Sequence, residues 1–224
     1  MTGGRRRWLA GLAAAAVVVV AVVDQDHAGG YGKGVTGAAK RLLEQAGWRL
    51  GADGVYAKDG RRLRVRCSTI AGDPRRKAEG VLLQAQLAKA GIRLELASAP
   101  FAAFFGEWVD KGNFDIADFS WTGNPFVLSG SQDAYRTDGT GNPGRFSDHE
   151  VDELFRRAVG ELDPARAADI GNEIDRRLWA QLPSIPLYPL PGFLAWRQDL
   201  INVEHNTTTE GPFWNVGTWG FATS

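Results

Sequence analysis

Serine, histidine and cysteine are the side chains of this sequence that could carry covalent chemistry. Ser120 or Ser129 could act as a nucleophile with His149 as its base, which would make the chain a hydrolase. The sequence has no GxSxG nucleophile elbow, however, and no GxxxxGK[ST] or EF-hand loop. Cys67 lies on the apolar face of an alternating segment, which favours a core residue over a nucleophile. We therefore predict that the chain is not an enzyme and that His149 is a solvated surface residue.

Metal and nucleic-acid sites are equally poorly supported. His27, His149 and His205 are far apart and form no HxH or HExxH pair, so we expect no metal and no cofactor. Asp115 and Asp118 lie three residues apart in a strand-like segment, so their side chains point to opposite faces. Lys plus Arg equals Asp plus Glu at 26 each. The arginine pairs, such as Arg75 and Arg76, stand among acidic residues, which predicts solvated faces for them. This balance disfavours nucleic-acid binding.

The first 35 residues have the pattern of a targeting segment and a linker rather than of a folded domain. Three consecutive arginines, residues 5–7, precede an uncharged run over residues 8–23. A basic segment before an apolar stretch is typical of a signal peptide or membrane anchor, here residues 1–23, although a buried Ala/Val helix is an alternative. The glycine-rich residues 24–35 predict a linker. Export would place the rest of the chain outside the cytoplasm.

The elements behind this segment predict a βαβ unit. An amphipathic helix over residues 36–48 is followed by alternating residues 61–70, which predict a half-buried strand. Asp73 and Pro74 are typical of a helix start, and Gly91 of a helix end before a second strand at residues 92–96. The apolar face of this crossover helix is expected to consist of five small or branched residues: Ala78, Val81, Leu82, Ala85 and Ala88.

A second round of elements leads into a loop that is a candidate binding segment. Aromatic residues over 101–108 have helical spacing, and residues 114–120 predict a strand covered on both faces. Residues 121–145 hold five glycines and two prolines, which predicts a long irregular segment. Ligands of open α/β sheets bind beyond the carboxyl ends of strands, where this segment begins.

Two helices and an aromatic tail complete the chain. A capping box at residues 147–150 predicts a helix to Gly160, and Asp163 and Pro164 predict another to Gln181. Residues 185–190 are strand-like, and the tail to residue 224 is rich in aromatic residues and glycine.

The order and spacing of these elements resemble the C-terminal half of family 5 extracellular solute-binding proteins, the peptide-binding subunits of ABC importers. The resemblance covers roughly residues 36–221 and rests on seven segments that are weak singly and specific together. These are residues 39–48, the Asp-Gly turns up to residue 63, and residues 72–74, 84–92, 112–121, 147–154 and 183–188.

The resemblance implies an α/β fold of the periplasmic-binding-protein type (cluster C, type II), in which two lobes close on a solute and deliver it to a permease. Residues 36–186 would form the second lobe, and residues 187–224 the hinge and a partial return to the first lobe. Because the family's first lobe needs a few hundred residues ahead of this region, we expect a truncated member, a split gene product or a remnant. A separately encoded first lobe would then be a partner, beside the permease subunits and the solute.

The resemblance also implies the site residues. Trp121 would line the cleft, and main-chain groups of Thr122 and Gly123 would bind a peptide backbone. The family's aspartate that pairs with a ligand ammonium corresponds to Asn124, which carries no charge and suits a blocked peptide, a sugar or another neutral solute equally well. A core position for Trp121 and a simple turn at Asn124 are the alternatives. The second candidate function is an envelope module that docks a partner through the aromatic tail, Phe213, Trp214, Trp219 and Phe221, without binding solute.

Overall fold

The structure is a computed structural model that describes residues 36–122, 126–190, 192–206 and 208–222. The predicted signal or anchor, residues 1–23, and the predicted linker, residues 24–35, lie outside these ranges. Within them, no helix combines the length and the apolar character that a membrane span needs.

The described chain begins with a helix and a small antiparallel sheet. Helix α1 spans Thr36–Gln45, and Ala39 and Leu43 are its buried residues. Three short strands follow in the order β1 (Arg49–Leu50), β2 (Tyr56–Lys58) and β3 (Arg61–Arg62). They enclose one edge of the main core, because the side chain of Tyr56 is completely buried there.

A three-stranded parallel sheet is the centre of the fold. Strand β4 (Arg64–Ile70) lies between β5 (Arg93–Ala99) and β6 (Ile116–Asp118), and it pairs with both in parallel. Helix α2 (Pro74–Lys89) connects β4 to β5, which confirms the predicted βαβ unit. The side chain of Asp73 accepts hydrogen bonds from two backbone amides of the first turn and caps the helix, and Pro74 follows at its first position.

The buried face of α2 is not the predicted one. Val81 and Leu82 are 52% and 63% exposed, whereas Arg76, Gly80 and Leu87 are buried. Gly80 explains part of the difference, because a Cβ at this position would lie 3.1 Å from Cδ2 of Leu96 on β5. The helix therefore approaches the sheet closely along its glycine, and its Ala/Val/Leu stripe faces away from the core.

The other face of the sheet is covered by aromatic side chains. A helical turn, α3 (Phe101–Ala103), continues as a π-helix over Phe104–Val109, in agreement with the predicted helical spacing. The side chain of Phe104, the first residue of this π-helix, is fully buried. Ser68 is also fully buried, because this layer covers the face of β4 that the alternating pattern predicts to be exposed.

The segment after β6 is more regular than expected. Within the predicted irregular stretch, residues 127–135 form helix α4 (Val127–Tyr135). Helices α5 (His149–Gly160) and α6 (Pro164–Gln181) agree with the prediction in their bounds, and Asp163 caps α6 as expected. The cap of α5 is Asp148, one residue after the serine that the predicted capping box requires. These three helices share a second core that contains Phe155 and Ile174.

The last described residues hold little regular structure. Residues 185–190 form no strand, contrary to the prediction, because this run between prolines does not pair with a neighbouring strand in the described chain. Strands β7 (Leu200–Ile201) and β8 (Gly220–Phe221) pair with each other, and two short 3₁₀ turns lie between them.

Candidate functional site

The candidate site lies where β6 ends. The three strands of the central sheet are parallel, so their carboxyl ends meet at one edge. Strand β6 ends at Asp118, and residues 119–122 continue beyond this edge. Trp121 and Thr122 are both exposed there.

The indole of Trp121 packs against aromatic side chains on one side and is exposed to solvent on the other. Its ring packs against Phe119 at 5.4 Å between centroids, with the two planes inclined at 64°. Phe119 in turn contacts Phe104 and Phe105 of the π-helix, at 6.2 and 5.6 Å. The Trp121 side chain is nevertheless 64% exposed, so most of its surface is available to a ligand.

A loop after α4 approaches the outer rim of this indole. A Cβ placed on Gly141 would lie 3.3 Å from Cη2 of Trp121. The carboxylate of Asp133 fixes the loop, because it accepts hydrogen bonds of 2.8 Å from the Thr140 hydroxyl and from the backbone amides of Thr140 and Gly141. The Thr140 hydroxyl and these amides lower the pKa of Asp133. These hydrogen bonds hold Gly141 of the loop next to the Trp121 ring.

Arg76 binds the same strand end from the opposite face of the sheet. Its Nη1 donates to the Asp118 carbonyl at 3.2 Å, and its Nη2 donates to the Ser120 hydroxyl at 3.1 Å. Its Nε lies 3.3 Å from the carboxylate of Asp73. The Arg76 side chain is only 8% exposed, so its charge is balanced within the protein rather than by water.

Asp118 completes this polar cluster. Burial raises the pKa of its carboxyl group, although the Arg76 guanidinium opposes the shift from a distance of 3.5 Å. The Thr69 hydroxyl donates to the Asp118 carbonyl oxygen at 2.9 Å. Burial also acts on Asp73, but the backbone amides of Arg76 and Arg75 and their guanidinium charges hold its pKa below the ordinary value.

A groove of about 530 Å³ opens beside the cluster, between the first half of α2 and the sheet. Its polar lining includes Thr69, Ser98 and Asp118 together with the charged residues Asp73, Arg76 and Lys77. Ile70 and Leu96 are among its apolar walls. Such a surface can accept a nonpolar group with a hydrogen-bonding end.

The structure brings together only some of the sequence-predicted residues. Trp121 and Thr122 lie at the sheet edge, whereas Gly123 and Asn124 lie outside the described residues. Ser120 accepts from Arg76, the hydroxyl of Ser129 donates to a backbone carbonyl, and in the part of the chain that the structure describes neither hydroxyl is hydrogen-bonded to His149. The geometry therefore does not assemble the nucleophile and base of a hydrolase.

Cys67 is buried, as predicted, and burial together with the charge of Asp118 raises the pKa of its thiol to about 12. Among the described residues, no group of His, Cys, Asp and Glu side chains has the arrangement of a metal site.

Arg76 is the functional candidate that sequence reasoning missed. The arginine pairs of the sequence are interpreted above as solvated faces, which is wrong for this member of the pair. The available signal was its position three residues after the capping Asp73, since residues at this spacing share one side of a helix turn.

Known proteins resemble the chain in sequence. The family described as "Bacterial extracellular solute-binding proteins, family 5 Middle" matches residues 7–143, which is more than half of the chain. Oligopeptide-binding protein OppA of Mycobacterium tuberculosis is 37% identical over 164 residues, or 73% of this chain and 27% of that protein. Protein XP55 of Streptomyces lividans is 29% identical over 147 residues, or 64% of this chain and 26% of that protein. The chain thus spans about a quarter of the length of these curated relatives.

Solved structures show the same fold. The periplasmic EDTA-binding protein EppA superposes with a TM-score of 0.85 at 22% identity, covering 96% of this chain and 46% of that chain. The oligopeptide-binding protein from Thermus thermophilus, complexed with a pentapeptide, superposes with a TM-score of 0.71 at 24% identity, covering 97% and 43%. Together with the sequence match, these similarities show that the chain belongs to family 5 of the bacterial extracellular solute-binding proteins.

Proposed function

We propose that the chain is an extracytoplasmic solute-binding component of an ABC importer and that it contacts its solute at Trp121, Thr122, Gly123 and Asn124. The observation that carries this proposal is the exposed indole of Trp121 at the carboxyl edge of a parallel sheet. Ligands of open α/β sheets bind at this edge. An aromatic side chain that is supported from below and open above offers a flat surface to a peptide or another small solute.

The relatives support a peptide or a related solute. OppA is named an oligopeptide-binding protein, and the Bacillus subtilis AppA structure holds a nonapeptide. EppA is named an EDTA-binding protein, and NikZ from Campylobacter jejuni is solved with Ni(L-His), so the fold also holds other small molecules. In this proposal the chain supplies one wall of the cleft, the first lobe supplies the other, and a permease receives the solute.

The polar groups near the strand end favour an uncharged ligand group. The Arg76 guanidinium lies on the opposite face of the sheet from Trp121 and is already placed between the carboxylates of Asp73 and Asp118, so it offers no charge to a ligand at the indole. Asn124, which stands where the family has a charged partner for an α-ammonium, agrees with this preference. A peptide with a blocked amino end, or a neutral solute, fits best.

The test measures binding by the full chain. Tryptophan fluorescence and thermal melting are followed while free tripeptides, N-acetylated tripeptides and neutral oligosaccharides are added separately. We expect a saturable change with at least one of these probes, and stronger binding of the acetylated than of the free peptide. The change should disappear in Trp121→Ala. A folded protein that responds to none of the probes, with or without a supplied first lobe, would contradict the proposal.

A second candidate function has its own observation. In the tail, Phe213, Trp214 and Phe221 are 64%, 50% and 64% exposed. Large apolar side chains that are exposed together mark an interaction surface in many soluble proteins. In this alternative the chain is an envelope module that docks a partner, a separately encoded first lobe, and does not bind solute.

The two candidates differ in what the tail controls. Replacing Phe213 and Phe221 by serine should abolish association with a first lobe from a relative in the docking alternative. In the solute-binding proposal, the same variant should still respond to the probes through Trp121, with weaker affinity because the cleft is open on one side.

A further inference from the structure

The guanidinium of Arg76 is aimed at the strand end that leads to Trp121. We propose that Arg76 is a positioning residue: it fixes the end of β6 and thereby sets the orientation of the Trp121 indole on the opposite face of the sheet. Its effect on affinity rests on the function proposed above, whereas its effect on the orientation of the indole does not.

The first turn of α2 prepares this guanidinium. Asp73 caps the helix by accepting from the backbone amides of Arg75 and Arg76, at 2.9 and 3.3 Å. The other oxygen of the same carboxylate lies 3.3 Å from Nε of Arg76. The capping residue therefore also orients the Arg76 side chain, whose planar fork can then bond two acceptors at once.

The two acceptors of Arg76, the Asp118 carbonyl and the Ser120 hydroxyl, lie where β6 stops pairing with β4. The last paired residues of β4 and β6 are Thr69 and Asp118. Beyond Asp118 the described chain has no further ladder partner in this sheet, and Arg76 takes the Asp118 carbonyl and the Ser120 hydroxyl instead. The guanidinium thus extends the hold on β6 by two residues.

Side-chain alternation transmits the effect to the indole. In an extended chain, successive side chains point to opposite faces. Asp118 and Ser120 point towards α2, where Arg76 contacts them. Phe119 and Trp121 lie on the side of the π-helix, where their rings contact each other. When Ser120 is held on one face, Trp121 is kept on the other.

Arg75 provides a matched comparison on the same turn. It pairs with Asp73 and Glu79 at 3.1 and 2.7 Å and donates to Tyr188 at 3.2 Å. None of these partners belongs to β6. A general contribution to stability should therefore be common to both arginines, whereas a change at the indole should follow from Arg76 alone.

The experiment uses the full chain labelled with 5-fluorotryptophan and observed by ¹⁹F NMR, with the Trp121 resonance assigned by Trp121→Phe. Arg76→Gln should shift or broaden this resonance while that of the buried Trp48 is unchanged. Arg75→Gln should leave both resonances in place. Ser120→Ala, which removes one of the two contacts, should move the Trp121 resonance less. If Arg76→Gln does not fold, Arg76→Lys and Ser120→Ala decide the question.

Binding provides the second readout, with N-acetylated tripeptides as the probe. Arg76→Gln should weaken binding by up to about tenfold, because a charge-assisted contact of about 1.5 kcal/mol that no longer fixes the strand end can lower the population of the correctly oriented indole by about that factor. Arg76→Lys should recover part of the loss, and Arg75→Gln should bind as the unaltered chain does. A folded Arg76→Gln variant with an unmoved Trp121 resonance would overturn the proposal. A moved resonance in a protein that binds no probe would support the positioning role and count against the proposed function.

Discussion

Replacing Trp121 by alanine should remove ligand binding while changing the stability of the fold only moderately. The comparison is with Trp48→Ala in the same chain. Trp48 is 6% exposed and belongs to the main core, whereas Trp121 is 64% exposed at the sheet edge. If the exposed indole is a binding surface, its loss should be felt mainly by the ligand.

The expected magnitudes follow from the buried areas. A tryptophan side chain buries roughly 200 Å² when fully covered, at about 25 cal/mol per Å². Nearly all of this area is buried for Trp48, so Trp48→Ala should cost about 5 kcal/mol in free energy of unfolding, close to the usual range for such substitutions. For Trp121 about a third of the area is buried, which limits the cost to about 2 kcal/mol.

Urea unfolding followed by far-UV circular dichroism measures both costs without relying on tryptophan fluorescence. The same proteins are then titrated with N-acetylated tripeptides. We expect Trp121→Ala to retain most of the stability and lose the binding. If Trp121→Ala costs as much stability as Trp48→Ala, the indole is a core residue and the assignment of the site is wrong.

Three further predictions concern the fold and its titration. Gly91→Ala should destabilise the protein by about 1–3 kcal/mol more than Gly54→Ala in urea unfolding: both glycines have φ near +77°, but only at Gly91 would a Cβ lie 2.6 Å from the buried ring of Tyr56. Equal costs would disprove the steric argument. Because the pKa of Cys67 is raised to about 12, iodoacetamide at pH 8 should label the folded chain about a thousandfold more slowly than the chain in urea, as measured by intact mass. Rapid labelling of the folded chain would show an accessible thiolate. Burial raises the pKa of Asp118 above its ordinary value, so the folded state binds more protons than the unfolded chain, and this group reduces stability as the pH rises beyond the ordinary carboxyl range. Asp118→Asn should therefore raise Tm at pH 7, with a gain that shrinks towards pH 4; a gain independent of pH would contradict the linkage.

Local signals in the sequence predicted the helices well. Asp73 with Pro74 and Asp163 with Pro164 mark helix starts that the structure confirms, because a capping side chain and a proline act within a single turn. The parallel pairing of β4 and β5 was also accessible, since a strand, a helix and a second strand leave few alternatives. Helix α4 was missed because its glycine, serines and aspartate obscure the apolar pattern.

The surroundings of the candidate site were only partly accessible from the sequence. The assignment of Trp121 to the cleft stays a prediction, and nothing local indicated that Asp133 and Gly141 would bring a loop against its ring. Arg76 was overlooked because an arginine pair among acidic residues is usually solvated. Its burial depends on Ser120, which lies 44 residues away and is brought near only by the parallel crossover.

The apolar periodicity of the sequence predicted the wrong buried face for helix α2, and the two ends of this helix show why. The half that faces the core is packed through Leu87, which is 1% exposed, while the half that faces the sheet edge buries Arg76 at 8% exposure. Gly80 lies between them and allows close contact with Leu96. A helix that packs against an apolar core at one end and against a polar strand end at the other does not have a uniform apolar stripe on its buried face. The buried side of α2 is polar near its first turn, because Arg76 there bonds to Asp118 and Ser120 at the end of β6.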